Sequence, residues 1–224
     1  MYITMRLVAP LIVIAALAAP LFGQQPAAGQ RGGTGRRGPR TLTYFIEPGR
    51  DATGFKPGDR ELAMWAVQDW ERHADGRIRF VPATEDRARI RINWVSPREG
   101  QYGETRRTMV GNRVVAMVYI RPDTTSLGPA ISELSLTDPL FRDAIVYLTC
   151  LHELGHAIGL THTADDRDIM YSFEFGGDVR VYFDRYRSQL KNRAAIATTT
   201  GLSAHDIDRL RALYQPRRAG SSAR

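Results

Sequence analysis

The residues with the most chemistry to offer lie in one short string. It runs His152-Glu153-Leu154-Gly155-His156-Ala157-Ile158-Gly159-Leu160-Thr161-His162, with Met170 eight residues further on. On a helix, His152 and His156 stand one turn, about 5.4 Å, apart on nearly the same face. Two imidazoles so placed can share one borderline-soft cation such as zinc (Zn2+), leaving room for a third ligand and a water. Glu153 sits beside the first imidazole, where a carboxylate can take a proton from a metal-activated water. Gly159 can adopt the left-handed conformation that ends a helix, turning the chain so that His162 returns to the metal. Chance is a poor rival. His-Glu-x-x-His alone arises about once in two hundred chains of this length, usually as a solvated helix face. Requiring the glycine and the third histidine at fixed offsets lowers that roughly a further thousandfold.

A helix must carry this pair, and Asp138-Pro139 supplies its start, with Asp as N-cap and Pro at the first helical position. Phe141, Ile145, Leu148, Leu151 and Ile158 give it an apolar face. Upstream, residues 42–46 are a β-rich run ended by Glu47-Pro48-Gly49, which predicts a first strand. Asp59 then reads as the N-cap of a helix whose core positions are Leu62, Met64, Trp65, Val67 and Trp70 and which ends near Asp75-Gly76. His73, near that end, lacks partners at ligand spacing and reads as a helix C-terminal charge. Residues 77–81 and 88–95 alternate apolar with charged side chains and predict two half-buried strands. Residues 105–110 and 113–120 flank Gly111-Asn112, which predicts a hairpin. Beyond Met170, residues 178–183 read as a strand and the basic stretch to Arg193 as a helix.

Residues 1–23 have the form of a secretory signal peptide: Arg6, then an apolar run interrupted by Pro10 and Pro20, then small and polar residues. The run is short for a membrane span, so export with cleavage is expected, to a secreted or periplasmic destination. Residues 24–40 are rich in Gln, Gly, Ala and Arg and predict a disordered linker. The net charge of +7 is misleading as a whole-chain figure. Residues 1–40 and 216–224 carry eight of the 31 basic residues and none of the 24 acids, leaving 23 basic and 24 acidic residues in 41–215. The expected domain, 41–215, is therefore not a basic nucleic-acid binder, and 216–224 is a basic tail. One cysteine excludes an internal disulfide framework, so stability must come from the core. Cys150 lies about 200° around the helix from His152 and reads as a small buried apolar residue facing away from any metal.

The metal string resembles the metzincin zinc peptidases, whose signature is His-Glu-x-x-His-x-x-Gly-x-x-His followed by a Met-turn. Asp168-Ile169-Met170-Tyr171 looks like that turn at matrixin spacing, Thr163 is nearest to the Ser common after the third His in matrixins, and residues 202–214 look like the last matrixin helix. The resemblance implies an α+β catalytic domain. It would have a twisted, mostly parallel sheet with an antiparallel edge strand, a long zinc-binding helix, a Met-turn and a C-terminal helix. It also implies that His152, His156 and His162 are the metal ligands, that Glu153 is the general base and acid, and that an edge near residues 106–110 binds the substrate backbone by β-addition. Met170 is then expected as an apolar floor beneath the metal. Departures are specific. No His occurs between His73 and His152, so the family's structural zinc site looks absent, and no Asp-rich calcium loop is evident to support Ca2+. Ser172 stands where Pro is common, and His205 takes the first of two positions where Asp residues often sit, so only the role of Asp206, hydrogen bonding near the Met-turn, carries over.

The expectation is thus a secreted, monomeric, zinc-dependent endopeptidase acting on protein or peptide, with no nucleic acid and no stable membrane insertion after leader cleavage. Two rivals stand beside it: a non-catalytic zinc-bound scaffold, which the intact Glu153 argues against, and an anion-binding secreted module using the Arg-rich ends.

Overall fold

A computed structural model describes residues 38–98 and 101–215. The expected leader, nearly all of the expected linker and the basic tail lie outside the described residues. β1 (Arg40–Ile46) leads into α1 (Asp59–His73), followed by β2 (Ile78–Pro82), β3 (Ile90–Trp94), β4 (Gly103–Val110) and β5 (Arg113–Ile120). α2 (Pro129–Thr137) and α3 (Pro139–Ile158) come next, then α4 (Val179–Arg187) and α5 (Ala204–Leu213), with short 3-10 turns between elements. The five strands form one sheet in the order β2-β1-β3-β5-β4, parallel except for β4, which runs antiparallel along the outer edge of β5. This is the α+β architecture expected, edge strand included.

Alternation fixes the sheet. Ile90, Ile92 and Trp94 in β3 and Val118 and Ile120 in β5 point into the core with α1 and α3, while their neighbours are more exposed. The Trp70 indole N–H donates to the Leu151 carbonyl at 2.8 Å, pinning α1 to α3 just before the histidines. Cys150 is fully buried, and desolvation pushes its thiol well above the usual range, as befits a small core residue.

Four local expectations are corrected. Asp59 is the first residue of α1 and not its cap, because its carboxylate is drawn to a buried bidentate pairing with Arg142 of α3 while accepting the Lys56 N–H at 2.7 Å. Met64 and Trp65 are only partly buried, Trp65 lying under the Arg193 guanidinium at 4.9 Å. Residues 178–183 are helical, not a strand. Asp178 caps α4 by accepting from Arg180 and Val181, and Phe183, Tyr186 and Leu190 recur at helical spacing to bury one side. The β-branched and aromatic letters of that stretch suggested a strand, but capping and period decide it. The basic stretch expected as a helix up to Arg193 instead ends its α-helical part at Arg187.

Candidate metal centre

α3 starts as its sequence dictates. The Asp138 carboxylate accepts from the amides of Leu140 (3.0 Å) and Phe141 (3.2 Å), and Pro139 follows. It ends at Gly159, whose φ of 113° reverses the chain toward His162. The three imidazoles meet there. His156 Nε2 and His162 Nε2 lie 3.0 Å apart, and one nitrogen from each of the three rings falls within 4.8 Å of the others.

Hydrogen bonding decides which nitrogens are free. His152 Nδ1 is 2.6 Å from the Ile169 carbonyl and His156 Nδ1 is 3.0 Å from the Leu160 carbonyl. A carbonyl only accepts, so both Nδ1 atoms carry the proton and both Nε2 atoms present a lone pair. His152 Nε2 is buried with no partner, and the His156 Nε2 lone pair faces His162 Nε2 at 3.0 Å, so a cation among the three rings would satisfy all of them. A tetrahedral ion with nitrogens at 2.0–2.1 Å separates them by about 3.3 Å, close to the shorter spacing here. Protonation does not compete near neutral pH. Burial lowers all three imidazoles, His152 strongly and His156 to about 4, and the neighbouring rings lower His152 further. The donor set fits zinc.

Residues 168–171 fold into a tight turn against α3, with Met170 fully buried. A side chain at Gly155 would lie 2.3 Å from Met170 Sδ and 3.1 Å from Trp70, so only glycine lets this turn seat against α3. The turn is held from two sides. Thr163 N–H donates to Met170 O at 2.9 Å, and Ser172 N–H donates to Thr163 O at 3.2 Å. From α5, Asp206 accepts the Ile169 N–H at 2.7 Å, while Ser203 Oγ donates to Asp168 at 2.6 Å and His205 Nδ1 meets Asp168 at 2.7 Å. Ile169 O is the acceptor of His152, so this network orients the first imidazole. Asp206 was legible from the sequence. The Asp168 partners Ser203 and His205 were not, since neither spacing nor pattern joins residues 35 and 37 apart.

Glu153 is buried beside the imidazoles, and Thr105 of β4 lies 2.8 Å from its Oε2 and 2.9 Å from its carbonyl oxygen. One hydroxyl has one proton to donate. It serves the carboxylate when Glu153 is ionised and the carbonyl when Glu153 is protonated and donates to Thr105 in turn. Burial pushes the Glu153 carboxyl up to about 8 and Glu104 adds to the rise, against the Thr105 hydrogen bond and Arg121. A neighbouring cation draws such a group back toward its ionised form. A side chain at Gly103 would lie 2.5 Å from Glu153 Oε1, so β4 approaches the carboxylate more closely than any larger residue allows. Nothing in the sequence marked Thr105 or Gly103 as neighbours of Glu153.

The family model of the matrixins matches residues 36–182 of the chain. The chain belongs to the matrixin family. Its four predicted site residues, His152, Glu153, His156 and His162, fall together in the part of the fold this match covers. Among individual proteins, this matrixin is similar to interstitial collagenase from Bos taurus, at 34% identity over 77 residues, which is 34% of the chain and 12% of that relative. Interstitial collagenase from Sus scrofa matches equally, at 34% over 77 residues and the same coverage. The matched stretch is thus about an eighth of either relative's length. Ser172, the matrixin departure after the Met-turn, is buried and caps the next turn by accepting the Glu174 N–H at 3.3 Å. No group of three or more metal-ligating side chains besides the histidine triad occurs among the described residues.

Proposed function

We propose that this matrixin is a zinc-dependent endopeptidase in which His152, His156 and His162 hold the ion and Glu153 is the general base and acid. The observation that carries the reading is the convergence of unspent imidazole nitrogens beside a buried carboxylate. When bound, zinc supplies a Lewis acid that polarises a peptide carbonyl and makes water acidic near neutral pH. Glu153 takes the proton of the attacking water and delivers it to the leaving amine nitrogen. Thr105 holds Oε2 through its hydroxyl during the first transfer and turns to the Glu153 carbonyl once the carboxyl is protonated. β4, as the antiparallel edge, has a free side for an extended peptide, which supports β-addition of the substrate backbone. The leader read in residues 1–23 supports export, and the reading takes the enzyme as a monomer acting on protein or peptide outside the cytoplasm.

The test is Glu153→Ala measured two ways on one sample. Zinc content should stay stoichiometric while peptide cleavage falls at least about a hundredfold, the usual cost of losing a general base. Near wild-type cleavage in that variant would overturn the assignment of the base. Zinc without chelator-sensitive cleavage in the unmodified protein would favour the non-catalytic scaffold.

A further inference from the structure

Parallel strands begin at one end of a sheet, and here that end is basic. Exposed Arg40 opens β1, exposed Arg87 and Arg89 precede β3, and Arg113 opens β5, while before β2 Arg77 is paired with Asp75. Arg113 donates to the Asp86 carbonyl at 2.5 Å and the Arg87 carbonyl at 3.5 Å, which ties the loop before β3 to the tip of the β4–β5 hairpin. Glu85 and Asp86 are the acids of that loop. The near-balance of charge over residues 41–215 conceals this, because acids such as Glu47, Asp51 and Asp123 follow the opposite ends of β1 and β5.

The hairpin tip also carries apolar surface. Met109 and Val114 are cross-strand partners and are 60% and 51% exposed, so two apolar side chains stand side by side in water. Leu213, 49% exposed, is close by: a side chain at Gly159 would lie 3.2 Å from Leu213 and 3.6 Å from Arg107 of β4. The Arg40 guanidinium lies 5.6 Å from the Tyr214 ring, which brings the first strand and the end of the last helix together here. Residues 24–37 add Arg31, Arg36 and Arg37, residues 216–224 add Arg217, Arg218 and Arg224, and neither segment has an acid.

We infer that this end of the domain docks on an anionic lipid bilayer, with Met109 and Val114 entering the interface and Arg40, Arg87, Arg89 and Arg113 facing its headgroups. Charge alone would serve any polyanion. The paired apolar side chains decide for a bilayer, because a soluble polyanion leaves them in water whereas an interface removes them from it. Docking there would confine the proposed peptidase activity to surface-bound substrates.

The experiment uses residues 24–224, which contain the whole described fold and both basic segments but lack the apolar run of residues 7–22, which would bind lipid by itself. Sedimentation with phosphatidylglycerol–phosphatidylcholine vesicles should show binding that is absent with phosphatidylcholine alone and is lost at ~0.5 M salt. The double variant Met109→Asp/Val114→Asp should bind at least about tenfold more weakly. Its thermal midpoint should stay put, because both side chains are exposed. Arg89→Gln should lower binding about fivefold. Absence of binding to anionic vesicles overturns the inference. So does undiminished vesicle binding by the Met109→Asp/Val114→Asp variant, which would mean the tails act alone. Retention on heparin without vesicle binding would identify a polyanion site in its place.

Discussion

The two halves of α3 treat their polar groups in opposite ways. In the first half every charge is answered. Asp138 caps the helix and pairs with Arg187 at 2.7 Å, and Arg142 is buried against Asp59 with the Pro122 carbonyl at 3.1 Å. Tyr147 donates to the buried Asp69 at 2.8 Å, and Asp69 also accepts from Thr200 at 2.8 Å and Arg72 at 2.5 Å. In the second half, His152 Nε2 is buried and unanswered, and the His156 Nε2 lone pair has only the His162 ring to face, at 3.0 Å. A buried polar group without a partner costs about 1–3 kcal/mol, so a helix that partners its polar groups in one half and leaves His152 Nε2 without a partner in the next marks where something else binds. The first half is a clamp that holds the second half still.

The sharpest way to break the contrast is to remove a ligand. His156→Ala leaves two imidazoles, which cannot complete the site. Bound zinc should fall from stoichiometric to background by metal analysis, with cleavage lost alongside it. Because the clamp does not depend on the metal, far-ultraviolet circular dichroism should still report the native helix content. Stoichiometric zinc in this variant would refute the ligand assignment.

The clamp breaks differently. Arg142→Ala leaves the Asp59 carboxylate buried and unpaired, which typically costs 3–5 kcal/mol. Urea unfolding should show that loss, while the fraction that folds should still bind zinc, since Arg142 lies almost three turns before His152. The double variant Asp59→Leu/Arg142→Met should recover most of the stability, because the cost arises from the stranded charge and not from absence of the pair. A single variant as stable as the parent would show that water reaches Asp59.

What could be read in advance follows the same division. The metal string, the Asp138 cap and the Gly159 stop were legible because their signals are local and fall at fixed offsets. The β4–β5 hairpin was legible from Gly111-Asn112, although β4 begins at Gly103, two residues before the expected start at residue 105. The clamp was not legible. Asp59 and Arg142 are 83 residues apart, and an Asp ahead of an apolar helix looks like a cap until its partner is known. Likewise Thr105 reaches Glu153 across 48 residues, and His205 reaches Asp168 across 37. Those contacts exist only once the sheet edge and the last helix are docked. The α4 stretch misled for a different reason: β-rich letters carried helical spacing, and tertiary burial of Phe183 and Tyr186 won over propensity.

The smallest effect tests whether the clamp is partly a matter of ionisation. Partial burial of Asp138 raises its carboxyl, but the Arg187 guanidinium and the amides of Phe141 and Leu140 more than offset this and hold it below the usual range. An acid lowered on folding stabilises the fold fully above its unfolded value, about 3.9, and loses that contribution as pH falls through the folded value. Asp138→Asn keeps a side-chain oxygen for the cap and removes only the charge, so at pH 7 it should cost up to about 1 kcal/mol, the range of a partly exposed ion pair. The gap between the two proteins should then close in acid. It should be unchanged from pH 7 to about pH 5 and begin to shrink near the unfolded value of about 3.9. Comparing urea midpoints of the pair at each pH separates this term from the loss of metal in acid, which both proteins share. A gap that persisted at low pH would assign the Asp138 contribution to its hydrogen-bond geometry alone. The cap at the start of α3 would then act by shape, unlike the buried ion pair of Asp59 and Arg142 one turn further on.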